Sequence, residues 1–170
     1  MSLGNWEQCS PRPQTYDGPV SLTGEYEPSP HKWVRDQVER YEATDGREAN
    51  TLPGSRRPIV IFTTRGHKSG KIRKFALMRV ENDGKYAMVG SVGGAAKHPK
   101  WYRNLKADPE ALMVQDGAER FDATARELHG EEREVWWQRA VEAYPTYAKY
   151  QERTKRRIPI LLAERRKNRP

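Results

Sequence analysis

The chain has 170 residues, 32% of them charged, with a mean hydropathy of −1.01, which describes one compact domain with solvated ends. No apolar run approaches the ~20 residues of a membrane span, and the opening MSLGNWEQCS lacks the blocks of a secretion signal. The net charge of +8 is concentrated in Ser55–Lys74, with seven Lys/Arg and no acid, and in Arg153–Pro170, which suits an anion site better than a generally adhesive surface.

Residues 1–29, rich in Pro, Gly, Ser and Thr, read as an extended arm. The arm contains Cys9, the single cysteine, which excludes an internal disulfide and fits a reducing cytoplasm. From His31 to Ala43, Trp33, Val34, Val38 and Tyr41 recur near helical spacing, with mixed-sign charges opposite, predicting an amphipathic helix over one side of a sheet. Strands are predicted at 58–64 and 72–81, joined by the turn Gly66-His67-Lys68-Ser69-Gly70. Asn82-Asp83-Gly84 is a hairpin signal leading into a strand over 85–91.

After Gly93-Gly94-Ala95-Ala96-Lys97, Pro99 suits the first turn of a helix running to Lys106, which Asp108-Pro109 stops. Strands at 111–116 and 119–127 meet at Asp116-Gly117. A helix over 131–143 starts on acidic residues, as its dipole favours. Tyr144-Pro145 breaks it and opens a second, short helix carrying Tyr147 and Tyr150. The last strand spans 158–163. About six antiparallel strands with three to four peripheral helices make the fold mainly β, an α+β barrel in preference to a doubly wound sheet. The expected organisation is the arm 1–29, a domain over 30–165 and a basic tail 166–170.

Several chemistries find no support in the residues. Gly66-x-x-x-Gly70-Lys71-Ile72 is one residue short of a nucleotide P-loop, lacks the magnesium-binding hydroxyl, and is followed by a β-rich run instead of a helix. His31, His67, His98 and His129 stand far apart with no Cys or carboxylate at ligand spacing, so no metal is expected. There is no Gly-x-Ser-x-Gly elbow. What remains is a cationic hairpin, a glycine pair ahead of a helix, and three tyrosines around a proline. Glycines and lysines in a turn make an anion receptor, and phenols pack on flat rings while offering a proton. An ordinary cationic turn and ordinary core tyrosines account for the same residues equally well.

The ordered pieces TTRGHKSGKIRKFAL, GSVGGAAKHPKWYRNLKADP, DATARELHGEER and AYPTYAKYQERTKRRIPI resemble the deazaflavin-dependent nitroreductase family over about Trp33 to Leu162. Its members use reduced coenzyme F420, an 8-hydroxy-5-deazaflavin with a phosphate and a polyglutamate tail. The resemblance implies a split β-barrel. It implies that His67, Lys68, Ser69 and Arg73 bind the phosphate and tail. It places Ser91, Val92, Gly93, Gly94 and Ala95 along the deazaflavin, with Lys97, His98 and Trp101 in the turn and helix start that follow. Tyr144, Tyr147 and Tyr150 match tyrosines on the substrate side of the ring, and Tyr147, Ser91 or a bound water is a candidate proton source. His67 stands where a relative carries arginine, and Val92 replaces a lysine.

The implied reaction is hydride transfer from the reduced deazaflavin to a quinone-like or nitroaromatic acceptor. A quinone acceptor implies a cytoplasmic protein working beside a membrane, and split barrels commonly pair as homodimers. Two rivals use the same residues. One is a non-catalytic module binding F420 or nucleic acid, marked by salt-dependent oligonucleotide binding. The other is a flavin mononucleotide enzyme, which would purify yellow.

Overall fold

The computed structural model describes residues 22–167, so Cys9 and the rest of residues 1–21, and the end of the tail, lie outside the described residues. Among the described residues seven strands form one sheet: β1 (Ile59–Arg65), β2 (Ile72–Met78), β3 (Glu81–Asn82), β4 (Lys85–Val89), β5 (Leu112–Asp116), β6 (Glu119–Glu127) and β7 (Ile160–Arg165). Their order is β2-β1-β5-β6-β7-β4-β3, and every pairing is antiparallel. Four helices accompany them: α1 (Lys32–Ala43), α2 (Lys100–Ala107), α3 (Gly130–Ala143) and α4 (Thr146–Glu152). A 3-10 turn at Val92–Gly94 follows β4.

Strand alternation sorts the apolar side chains onto two faces. Ile59 and Ile61 of β1, Ala87 and Val89 of β4, and Ile160 and Leu162 of β7 pack with Val38 and Tyr41 of α1, Trp136 and Ala140 of α3, and Tyr147 of α4. Their neighbours Val60, Phe62, Met88 and Leu161 turn the other way, joining Leu112, Val114 and Phe121, with Trp101 and Leu105 of α2 against them. Both faces of β1 are therefore covered, and six of its seven residues are buried. Each buried Val, Ile, Leu, Met or Phe among them contributes roughly 1.5–3 kcal/mol.

The predicted strand over 72–81 is two strands, and the division closes the barrel. β2 lies at one edge of the sheet and β3 at the other, yet only Arg79 and Val80 separate them. The sheet must curl until its edges face each other, and β2 does contact β4. The two linking residues stay paired, one to each edge. The Arg79 N–H donates to the Pro58 carbonyl (2.9 Å) and the Ala87 N–H to that of Val80 (2.8 Å). The next turn holds Asp83 and Gly84 at φ 53° and 72°, as a two-residue hairpin requires.

Candidate functional site

The hairpin between β1 and β2 is shaped by its main chain. The Gly66 N–H donates to the Lys71 carbonyl (2.8 Å), the Gly70 N–H to that of Gly66 (2.8 Å), and Gly70 lies at φ 69°. At the tip, His67 is held by Asn104 of α2. The main-chain N–H of His67 reaches the Asn104 Oδ1 at 3.1 Å and its ring Nδ1 lies 2.8 Å from the same oxygen. That oxygen already accepts an N–H, so Nδ1 carries the ring proton. Lys68 and Ser69 are exposed, and Lys68 has no ion pair among the described residues.

The cations along β2 have partners. Residues 23–27 run beside this edge strand: Tyr26 bridges Ile72, the Ile72 N–H donates to the Glu25 carbonyl (2.8 Å), and the Glu27 N–H donates to the Ile72 carbonyl (3.0 Å). The backbone pairing lines up charges. Arg73 pairs with Glu27, Lys71 lies 3.7 Å from Glu25, and Arg65 donates to the Thr23 carbonyl at 3.1 Å. Lys74 turns inward, its Nζ 2.8 Å from both carboxylate oxygens of Glu42, with only 8% and 7% of the two side chains exposed. Its ammonium also sits 4.9 Å from the Tyr26 ring centre. Burial and the nearby carboxylates of Glu42 and Glu39 push the Tyr26 phenol up to about 12.

The loop after β4 carries the other predicted contacts. Val92, Gly93 and Gly94 sit at φ 45°, 61° and 83° in succession, a path that is strained for a β-branched valine. Ser91, just before them, is right-handed (φ −75°, ψ −41°) and buried. A right-handed residue followed by a left-handed one aims consecutive N–H groups at one spot, the geometry of an anion nest. Val92 is 50% exposed, and Ala95 and Lys97 also face solvent. His98 lies half-buried, its ring 4.6 Å from that of Tyr102. Burial and the Arg156 cation hold its pKa below the ordinary histidine value.

Arg156, between α4 and β7, braces this loop from behind. Its guanidinium donates to the carbonyls of Ala95 (2.8 Å), Gly90 (3.0 Å) and Ser91 (2.8 Å), and reaches His98 Nδ1 at 3.0 Å.

The tyrosines meet as the spacing suggested. Tyr144 stands edge-on to Tyr147 (ring centres 5.1 Å) and to Tyr150 (6.1 Å), and the Tyr144 and Tyr150 hydroxyls lie 3.4 Å apart. Tyr147 is the buried one, and burial raises its pKa well above the ordinary phenol value. The bond to Tyr144 and partial burial raise that of Tyr150. The loop and the tyrosine helix are in contact, with Gly94 directly against Tyr150 and Arg153.

The predicted residues thus fall into two groups: hairpin (His67, Lys68, Ser69, Arg73) and loop with tyrosines (Ser91 to His98, Tyr144, Tyr147, Tyr150). α2 joins them, because it continues from the loop, holds His67 through Asn104, and stacks Trp101 on Phe75 of β2 (5.6 Å, planes 8° apart). Sequence reasoning missed Asn104, Arg156 and the acidic pair Glu25 and Glu27. Among the described residues no cluster of His, Cys, Asp and Glu suits a metal, and no helix is long and apolar enough to cross a membrane.

A curled antiparallel sheet carrying a basic hairpin, a nest-forming loop and three edge-on phenols has the architecture of the split-barrel, coenzyme-dependent reductases that it matches. The chain belongs to the F420H2-dependent quinone reductase family, whose model matches residues 33–165. It is 34% identical to an F420H2-dependent quinone reductase of Mycobacterium tuberculosis over 129 residues, 74% of this chain and 85% of that one. A solved F420-H2 dependent reductase (FDR-A) is 62% identical, with a TM-score of 0.60, covering 64% of this chain and 95% of its own. A solved domain-swapped dimer is 56% identical, with a TM-score of 0.62, covering 80% and 100% respectively.

The donor set fits F420. A phosphate and carboxylates call for localised cations and main-chain N–H groups, which the hairpin and the Ser91–Val92 step supply.

Proposed function

We propose that this reductase holds the phosphate and tail of reduced F420 on His67, Lys68, Ser69 and Arg73, and its ring along Ser91 to Ala95. Lys97, His98 and Trp101 border the ring, and Tyr144, Tyr147 and Tyr150 form the wall where a quinone-like acceptor lies. The observation that carries this reading is the packing of Gly94 against α4, which sets the loop and the three phenols side by side. Bound F420H2 supplies a hydride from carbon 5. The protein orients ring and acceptor and keeps water out. Tyr147, neutral and in this wall, is the first candidate to deliver the proton that the reduced acceptor needs, with Ser91 or a bound water as the others.

Quinones are the preferred acceptors, with nitroaromatic compounds as a second class. We place the protein in the cytoplasm beside the inner face of a membrane, where lipid-soluble quinones are found; Trp33 of α1, 61% exposed, is suited to the interface. A homodimer is favoured by the domain-swapped relative.

Titration with F420 beside flavin mononucleotide, followed by a quinone and nitroaromatic screen with F420H2, tests the assignment. Saturable F420 binding with quenching of Trp101 fluorescence is expected, together with quinone-dependent oxidation of F420H2. Retention of flavin mononucleotide in preference to F420 would overturn it.

A further inference from the structure

Arg156 has no carboxylate partner among the described residues, and all four of its contacts fall on uncharged acceptors of one loop. This is unusual for a half-buried arginine, whose charge is ordinarily paired. The contacts sort the loop's polar groups. A trans peptide points its N–H opposite to its carbonyl. With the Gly90, Ser91 and Ala95 carbonyls drawn to the guanidinium, the N–H groups of Ser91, Val92 and Ala96 point away from it. The ring of His98 is sorted too. A guanidinium only donates, so Nδ1 accepts and the ring proton of neutral His98 resides on Nε2. The other groups facing this ring are Tyr102, Glu127 and Arg103.

We propose that Arg156 is the positioning residue of the coenzyme loop: it turns one side of residues 90–98 into donors and fixes His98 as a neutral Nε2–H donor. The side it does not touch then offers N–H groups and an imidazole N–H, backed by an unneutralised positive charge, to the electron-rich edge of a bound ring. This rests on the reading of Ser91 to Ala95 as the loop along the deazaflavin. Lysine cannot substitute, since one ammonium cannot span acceptors from Gly90 to His98 with the geometry of a planar fork.

The test begins with the ligand-free wild-type protein. Nitrogen-15 NMR of the histidine rings, with His98 assigned by loss of its signals in His98→Gln, should show an unprotonated Nδ1 and a protonated Nε2 at a pH above the ordinary histidine range. A protonated Nδ1 in the wild-type protein overturns the proposal by itself, before any Arg156 variant is made. Arg156→Gln and Arg156→Lys should both raise the F420 dissociation constant by about tenfold, as loss of a charge-assisted donor cluster implies, with a smaller change in kcat at saturating coenzyme. Methylguanidinium, but not methylammonium, should restore binding to Arg156→Ala. Lowered melting temperatures with unchanged F420 affinity and an unchanged His98 ring spectrum would reduce Arg156 to a structural brace and sink the idea. If wild type failed to bind F420, the coenzyme reading would fall with the loop's assignment, whereas the ring spectrum would still decide whether Arg156 sets the tautomer.

Discussion

Gly94 lies so close to Tyr150 that a β-carbon there would stand 2.6 Å from the Tyr150 carbonyl oxygen and 2.9 Å from Arg153 Cβ. The residue is also left-handed, at φ 83°. Gly94→Ala therefore adds a clash with main chain to a backbone penalty. A loss of roughly 2–4 kcal/mol is expected from the two effects together, read as a lower melting temperature. F420 binding should weaken in the surviving folded fraction, because the loop can make room only by moving off α4. Wild-type affinity and stability would show that the two elements are not coupled.

Lys68 is the hairpin cation with the fewest commitments. Lys68→Ala should weaken F420 binding by about 1 kcal/mol, roughly fivefold, and leave turnover at saturating coenzyme nearly unchanged. Its folding should be unaffected, since the side chain supports nothing else. Equal affinity in variant and wild type would remove Lys68 from the tail site.

Arg73 and Lys71 are held by Glu27 and Glu25, so an acidic tail arriving at β2 meets carboxylates already in place. Exposed pairs of this kind contribute a few tenths to about 1 kcal/mol each. The double variant Glu25→Gln, Glu27→Gln should bind F420 about two- to thirtyfold more tightly if both pairs are released on that basis. The gain should grow with glutamate-tail length and shrink in high salt. Weaker binding would mean that the two glutamates support the site instead of competing for it.

How much of this was legible beforehand depends on how local the signal is. The Asn82-Asp83-Gly84 turn, the strand at 58–64 and the three tyrosines around Pro145 are patterns within a few residues, and the structure keeps them. The break at Arg79–Val80 was not readable, because both flanking runs are β-rich and only curling of the sheet separates them. Asn104 and Arg156 left no trace either. They act on His67 and His98 across 37 and 58 positions, and in the sequence Arg156 is simply one charge in a basic run.

Tyr147 is buried edge-on against two other phenols, and burial raises its pKa, so the hydroxyl keeps its proton at neutral pH and has one to give to a reduced acceptor. Tyr147→Phe removes one oxygen and keeps the packing. Oxidation of bound F420H2 by quinone, followed in a stopped-flow instrument, should slow roughly a hundredfold if this hydroxyl is the acid. The F420 dissociation constant should stay within about twofold of wild type, as the packing is preserved and no coenzyme contact is lost. A large loss of coenzyme affinity would place the hydroxyl on the coenzyme instead of the acceptor.

Glu127 provides a pH handle. Burial pulls its pKa up, but hydrogen bonds from Lys106 (2.9 Å) and Tyr102 (3.0 Å) prevail and hold it below the ordinary carboxylate value. A carboxylate with a lowered folded-state pKa contributes stability above its unfolded pKa and loses it as pH falls through the folded value. Glu127→Gln should therefore lower the melting temperature near neutrality, with the difference from wild type vanishing in acid. The loss should be small, since Lys106 is 53% exposed and water screens the pair. A difference that persisted undiminished at low pH would point to packing as its origin.

The pairing of residues 25–27 with Ile72 also bears on how the protein behaves when crowded. One rim of the sheet is met at its Ile72 end by the chain's own backbone, and the opposite rim is a strand of only two residues. At Ile72 the ladder is already taken by the chain's own backbone, so a foreign strand cannot add there without first displacing residues 25–27.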